Sequence, residues 1–262
     1  MRVLSVPSLG LLAAPLGLVL VLVLLQASPT FGCGEGPSAS SSSSSSSTTL
    51  QDLITAPQPR LLAAERDDGI SLATRAYWMR QANLALPNPC PFAAFGSVVV
   101  NHTAAAAGGL GELICTGANS NSGSGNPTFH GEMAAINNCS AIFVDPEGPF
   151  RMTPAEALAA FADLTLYTNA ESCPMCASAI RWAGFREYVY GTSIDALVQK
   201  GWGQIRVSSG YIFARSTGLP RQTALVGPVL TNETDVFFGW QYVPDAPCPR
   251  GCSRDQGVCR PA

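Results

Sequence analysis

Lysine is almost missing from this chain. Lys200 is the only one in 262 residues, and charged residues of all kinds make up 13%. Proteins that grip nucleic acid do so mainly by neutralising phosphates with clustered Lys and Arg. Here the net charge is −3, and the one local basic cluster is Arg250, Arg254 and Arg260 near the end, so that class is not expected. Histidine is nearly as scarce, with His102 and His130 alone, and Cys173-x-x-Cys176 has no second pair of the same spacing. A structural zinc site closed by four protein ligands would draw on such a second pair or on more histidines. What the chain does have is apolar residue, 47% of the total, enough for a sizeable core in one domain with appendages.

The appendages come first. Arg2, an apolar run over 9–25 and the small residue Ala27 read as a signal peptide over 1–27; an uncut signal anchor is the alternative. Either reading places the rest of the chain outside the cytosol, as a secreted protein with no membrane attachment once the signal is cut. Ser38 and the serine run 40–47 give residues 28–60 the composition of a disordered linker. A folded domain is expected over 61–240 and a Cys-rich tail over 241–262.

Hydrophobic patterning supplies the elements. Residues 61–86 read as helical with a break at Gly69, ended by Pro87 and Pro89. Strands are expected over 96–101 and 111–117, joined by a loop over 104–109. Asn119 to Gly125 is a polar, Gly-rich loop of the kind that lines sites. A helix follows, with Thr128 as its expected N-cap, then a helix over 155–162 and a buried strand over 163–168. The helix after Cys173 runs to about Trp182, a strand spans 187–190 and stops at Gly191, and a helix covers 194–200. Tyr211-Ile212-Phe213 reads as a last strand or an aromatic pocket wall, and 226–242 has no assignment. Strands alternating with helices predict a three-layer α/β/α sandwich around a central mixed sheet.

The chemistry lies between His130 and Cys176. One imidazole and two thiolates suit Zn²⁺, which at catalytic sites takes three protein ligands and keeps a position for water. His130, Cys173 and Cys176 are therefore the expected ligands, and Glu132 the expected general acid and base. A redox pair would not account for the His-x-Glu.

These residues also carry a resemblance. Phe95-Gly96-Ser97-Val98-Val99-Val100, Gly117-Ala118-Asn119, Asn126-Pro127-Thr128-Phe129-His130-Gly131-Glu132 and Glu171-Ser172-Cys173-Pro174-Met175-Cys176, followed by Ala179-Ile180-Arg181-Trp182-Ala183, resemble the cytidine and deoxycytidylate deaminase superfamily. Its zinc signature is His-x-Glu followed by Pro-Cys-x-x-Cys. The likeness covers about residues 70–215 and is greatest to the guanine deaminase and tRNA adenosine deaminase branch. It departs at Ser172, where the family has Pro, and at Gly131, where Ala is usual. The chain reads as a secreted eukaryotic member, fungi being one source considered, with a cytidine deaminase-like fold.

The resemblance implies hydrolytic deamination of a nucleobase or nucleoside with release of ammonia. Asn119, Gly131 and Trp182 would contact the substrate, with ordinary core packing given equal weight for Trp182. Guanine leads narrowly among the bases. It leads only narrowly because the family's guanine enzymes carry an acidic residue where this chain has Gln204. The expected partner is a small-molecule base or nucleoside rather than nucleic acid, and a homodimer is left open. Two other readings remain: a secreted effector that deaminates nucleic acid, and a non-catalytic zinc-fold binding protein. Retention of Glu132 argues against the second.

Nine cysteines less the two metal ligands leave an odd number. Cys139 is the expected free thiol, and Cys33, Cys90, Cys115, Cys248, Cys252 and Cys259 the candidates for up to three disulfides. Asn101, Asn138 and Asn232 head glycosylation sequons, Asn138 being the least expected to be used. His102 reads as an exposed loop residue.

Overall fold

A computed structural model describes residues 69–103 and 109–262. The expected signal peptide, the Ser-rich linker, the first residues of the predicted helix over 61–86 and most of the predicted 104–109 loop lie outside the described residues, as does Cys33.

The first helix, α1 (Leu72–Leu84), starts where Ser71 accepts a hydrogen bond from the Thr74 N–H, 3.0 Å. Strands β1 (Gly96–Asn101) and β2 (Glu112–Ala118) follow, then a single turn α2 (Asn121–Ser124) and the long helix α3 (Gly131–Val144). Helix α4 (Pro154–Ala160) opens on a capping box between Thr153 and Glu156 and leads through a short 3₁₀ turn into β3 (Leu164–Ala170). Next come α5 (Pro174–Ala183), β4 (Glu187–Thr192), α6 (Ile194–Gln199), α7 (Ser209–Arg215), β5 (Ala224–Val226) and α8 (Thr231–Thr234). The chain ends in a small hairpin of β6 (Cys252–Asp255) and β7 (Val258–Pro261).

The main sheet has the order β2-β1-β3-β4-β5. β1 is antiparallel to both neighbours, and β3, β4 and β5 run parallel, which makes the sheet mixed. Successive side chains on a strand face opposite ways, and both faces here are covered. Val98, Val100, Tyr167 and Val189 pack with Trp78, Met79 and Ala82 of α1. Val99, Leu166, Tyr188 and Tyr190 pack with Ala135 and Cys139 of α3 and Ala177 and Ile180 of α5. This is the expected α/β/α sandwich. Every residue of β3 is buried, which is why its sequence is a nearly continuous apolar and β-branched run.

Several boundaries differ from the sequence reading. α3 begins at Gly131 with His130 as its N-cap, because the Thr128 N–H and hydroxyl are both held by Asn126 Oδ1, at 3.0 and 2.8 Å. β4 continues through Gly191 to Thr192; a Cβ on Gly191 would stand 2.6 Å from the Asn169 carbonyl oxygen and 2.7 Å from Thr234. The glycine admits α8 against the strand rather than ending it. Tyr211-Ile212-Phe213 is neither strand nor pocket wall but the middle of α7, started by the Ser208 cap. The unassigned 226–242 stretch supplies the end of β5, α8 and a 3₁₀ turn. His102 is half-buried, its ring 2.9 Å from the Tyr167 hydroxyl. No helix among the described residues is long and apolar enough to cross a membrane.

Two features tie the fold together. Arg75 and Glu187, both fully buried, form an ion pair across α1 and β4 at 2.7 Å, and Arg75 Nη1 also donates to the Ile70 carbonyl, 2.6 Å. Three disulfides join Cys90 to Cys252, Cys115 to Cys139 and Cys248 to Cys259. Cys139 is thus not the free thiol that the odd count suggested. It faces the sheet from α3, where Cys115 of β2 lies under it, and a cysteine so placed finds a partner. Under denaturing, chelated, non-reducing conditions, alkylation is expected to label Cys173 and Cys176 and to leave Cys115 and Cys139 unlabelled. Mass mapping that finds Cys139 alkylated would refute this pairing.

Candidate metal centre and substrate pocket

His130 and Cys173 stand at corresponding places, each the N-cap of a helix that packs against the same sheet face. Neither side chain caps its own helix, so both are available to a shared centre. Pro174, at the first helical position, fixes the turn between Cys173 and Cys176 without an unsatisfied N–H. His130 Nδ1 lies 3.6 Å from Cys173 Sγ and 3.7 Å from Cys176 Sγ, and the three donor atoms fall within 4.8 Å of one another. Zinc bonded tetrahedrally at about 2.1 Å to nitrogen and about 2.3 Å to sulfur needs N and S roughly 3.6 Å apart. The donor set therefore fits zinc in both chemistry and spacing. Among the described residues no other His, Cys, Asp and Glu group of this kind is present.

The electrostatics agree. A hydrogen bond from the Cys176 thiol, aided by His130, holds Cys173 at about 4, and the same bond pushes Cys176 up. The pair shares one negative charge that helix N-termini favour; a cation would let both ionise. Hydrogen bonding to Cys173 raises His130. Glu132, 7% exposed, is raised chiefly by burial. The Ser172 hydroxyl opposes that rise.

A cavity of about 240 Å³ opens beside these groups, lined by Phe95, Asn119, Asn121, His130, Glu132, Glu171, Cys173, Trp202 and Gln204 together with Ala93 and Gly203. Asn119 donates to Asn121 Oδ1 at 3.0 Å, which leaves its carboxamide oxygen without a protein partner among the described residues. Its backbone N–H donates to the Phe95 carbonyl, 2.9 Å.

Two residues expected at the substrate are elsewhere. Trp182 is 76% exposed and lines a separate hollow with Ile212 and Leu219. It is six residues beyond Cys176, about 600° of helix at 3.6 residues per turn, and so points away from the face that carries the thiol. Gly131 does not line the cavity either. It is buried where a Cβ would come within 2.7 Å of the Phe95 carbonyl oxygen, so the missing side chain lets α3 close on β1.

Sequence reasoning passed over three residues. Glu171 lines the pocket, yet its carboxylate accepts from the Ile194 N–H and from the Ser209 N–H and hydroxyl, at 2.8 to 2.9 Å. It thereby ties the starts of α6 and α7 to the strand that ends at the cysteines. Asn121 sits in the polar loop that was expected to line a site. Trp202 had one signal, its place between Gly201 and Gly203.

Comparison with known proteins gives the same region. A Bacillus subtilis (strain 168) guanine deaminase is 29% identical over 108 residues, which are 41% of this chain and 56% of that protein, so the match spans little more than half its length. Among solved structures, a guanine deaminase from Nitrosomonas europaea is 16% identical with a TM-score of 0.43, over 71% of this chain and 87% of that one. A structure from work on A-to-I editing by tRNA:A34 deaminases is 18% identical with a TM-score of 0.37, over 62% and 94%. Residues 73–192, which hold β1 to β4 and all of His130, Glu132, Cys173 and Cys176, match the family model of the cytidine and deoxycytidylate deaminase zinc-binding region.

Proposed function

We propose that this chain is a zinc-dependent hydrolase that deaminates a free nucleobase or nucleoside, with a purine favoured. One observation carries the reading: a buried carboxyl, Glu132, lines the same cavity as His130 and Cys173, two of three donors spaced for zinc. His130, Cys173 and Cys176 would hold the ion, which when bound supplies Lewis acidity and brings the pKa of a water to about 7. The chain's own part is positioning and proton transfer. Hydrolysis adds the oxygen of water to the amino-bearing ring carbon, and the carbon–nitrogen bond breaks to release ammonia. Glu132 takes one proton from the water and passes it to the ring nitrogen, then takes the second from the added hydroxyl and passes it to the leaving amine. Asn119 presents its free carboxamide oxygen to the edge of the base.

Among the described residues the lining contains no Lys or Arg and two carboxylates. An anionic phosphate would find no partner inside, which favours a neutral heterocycle over a nucleotide or a nucleic-acid strand. Gln204 at the rim favours no single base, since an amide both donates and accepts; guanine keeps only a narrow lead. Three disulfides among the described residues support passage through an oxidising compartment, hence secretion.

Ammonia release decides the matter. Zinc-loaded protein is assayed against guanine, adenine, cytosine, their nucleosides and a single-stranded oligonucleotide. The highest kcat/KM is expected on a purine base or nucleoside. Faster turnover of the oligonucleotide would favour the effector reading, and no turnover of any of them the binding-protein reading.

A further inference from the structure

We propose that Trp202 sets the specificity of this pocket, and that the disulfide-bonded C-terminal segment exists in part to hold it there. The proposal rests on the deaminase reading for its substrate but on separate residues for its argument. Trp202 and Phe95 are the aromatic members of the cavity lining, with ring centroids 5.2 Å apart and planes at 83°. The rest of the lining is polar, ionisable or small. A planar, neutral ring entering such a cavity gains most by covering aromatic surface, and Trp202 offers the larger ring.

Trp202 lies outside the stretch 73–192 that matches the deaminase region, and so do Phe238 and Tyr242, two of its four ring partners. Its indole N–H donates to the Phe238 carbonyl, 2.9 Å. Its ring meets Phe238 at 6.1 Å, Tyr242 at 5.3 Å and Phe92 at 5.7 Å. The preceding Gly201 has φ +99°, and a Cβ there would stand 2.8 Å from Tyr242 Cβ, so Tyr242 dictates the path of the loop. Gln241 then clamps the two sides together, its Nε2 donating to the carbonyls of Phe92 and Phe237 at 2.9 and 2.8 Å.

That clamp is covalently secured. Cys252 is bonded to Cys90, just before Phe92, and Trp240 is buried against Cys90 and Cys259. The tail belongs to the same compact unit as the sheet. Phe238 and Tyr242 reach Trp202 directly, and the loop of Trp202 also delivers Gly203 and Gln204 to the pocket. Trp202 is partly buried against Leu86, Ala94, Ala170, Leu197 and Phe238, and it also lines the cavity. Trp202 thus supplies the flat face, and Gln204, two residues on, supplies a donor and an acceptor for the ring edge.

The test compares full-length wild type with Trp202→Ala, Trp202→Phe and Tyr242→Ala, each checked for zinc content and thermal unfolding. Kinetics are measured on the base panel, and binding of adenine and 8-azaguanine is followed by titration calorimetry. Base–aromatic stacking contributes about 1–3 kcal/mol, so Trp202→Ala is expected to raise KM and Kd roughly 10- to 100-fold. Its kcat should stay within about threefold, and the ranking of the bases should flatten. Tyr242→Ala should move KM the same way by less. Should Trp202→Ala fail to fold, Trp202→Phe carries the test: the widened cavity should raise the rate on nucleosides relative to free bases several-fold. A folded, zinc-loaded Trp202→Ala with wild-type KM and ranking overturns the proposal alone, as does an unmoved ratio in Trp202→Phe. Wild-type protein that neither binds nor turns over any base overturns it together with the deaminase reading.

Discussion

Replacing Glu132 by Gln is expected to remove turnover while leaving the zinc in place. The amide keeps the size and shape of the carboxyl but cannot accept the water's proton, and positioned general acid–base groups contribute about 10²–10⁴-fold in rate. Glu132 is not one of the three donors grouped for the metal, so metal content should stay at one zinc per chain. Its burial in the first turn of α3 and its place in the cavity lining give water no easy substitute for the carboxyl. Metal analysis and ammonia release on the same sample separate the roles. Zinc lost with the substitution would make Glu132 a ligand or a support for one. Activity retained in full would assign the proton transfer to another group, with Glu171 the other carboxyl in the lining.

Replacing Glu187 by Ala is expected to cost about 3–5 kcal/mol, because it breaks a buried ion pair with the Arg75 guanidinium from one side. Both residues are fully buried, one on α1 and one on β4, so no solvent can take the carboxylate's place. For a domain of this size that is roughly 6–20 °C in Tm. Arg75→Leu combined with Glu187→Leu should recover most of the loss, since an apolar pair of similar volume carries no buried charge. A loss below about 1 kcal/mol for Glu187→Ala alone would show that Arg75 reaches water or another acid.

The fold was legible where one element decides its own form. The run over β3 is apolar and β-branched because both faces are covered, and that shows in the letters. The three metal donors and Glu132 were legible because their residue types and spacing fit one chemistry. Distant partners were not. Asn126 took the groups that would have made Thr128 a cap. Cys139 met Cys115 only because α3 lies across β2. β5 has three residues and exists by pairing with β4. The resemblance gives Trp182 as a substrate contact, with core packing of equal weight, whereas the tryptophan that lines the cavity is Trp202, held in part by Tyr242 forty residues further on.

The Cys90–Cys252 bond has a topological consequence. Its two ends are 162 residues apart, and the stretch between them includes the whole of the main sheet, the three candidate metal donors and Glu132. Closing so long a segment restricts the unfolded chain by an amount on the order of 5 kcal/mol. It also makes this part of the molecule a covalent ring. A protease that nicks the ring once opens a circle without releasing a piece, so both fragments stay joined beside the metal site. Only a second cut or a reductant would separate them, so such a ring tolerates its first cut.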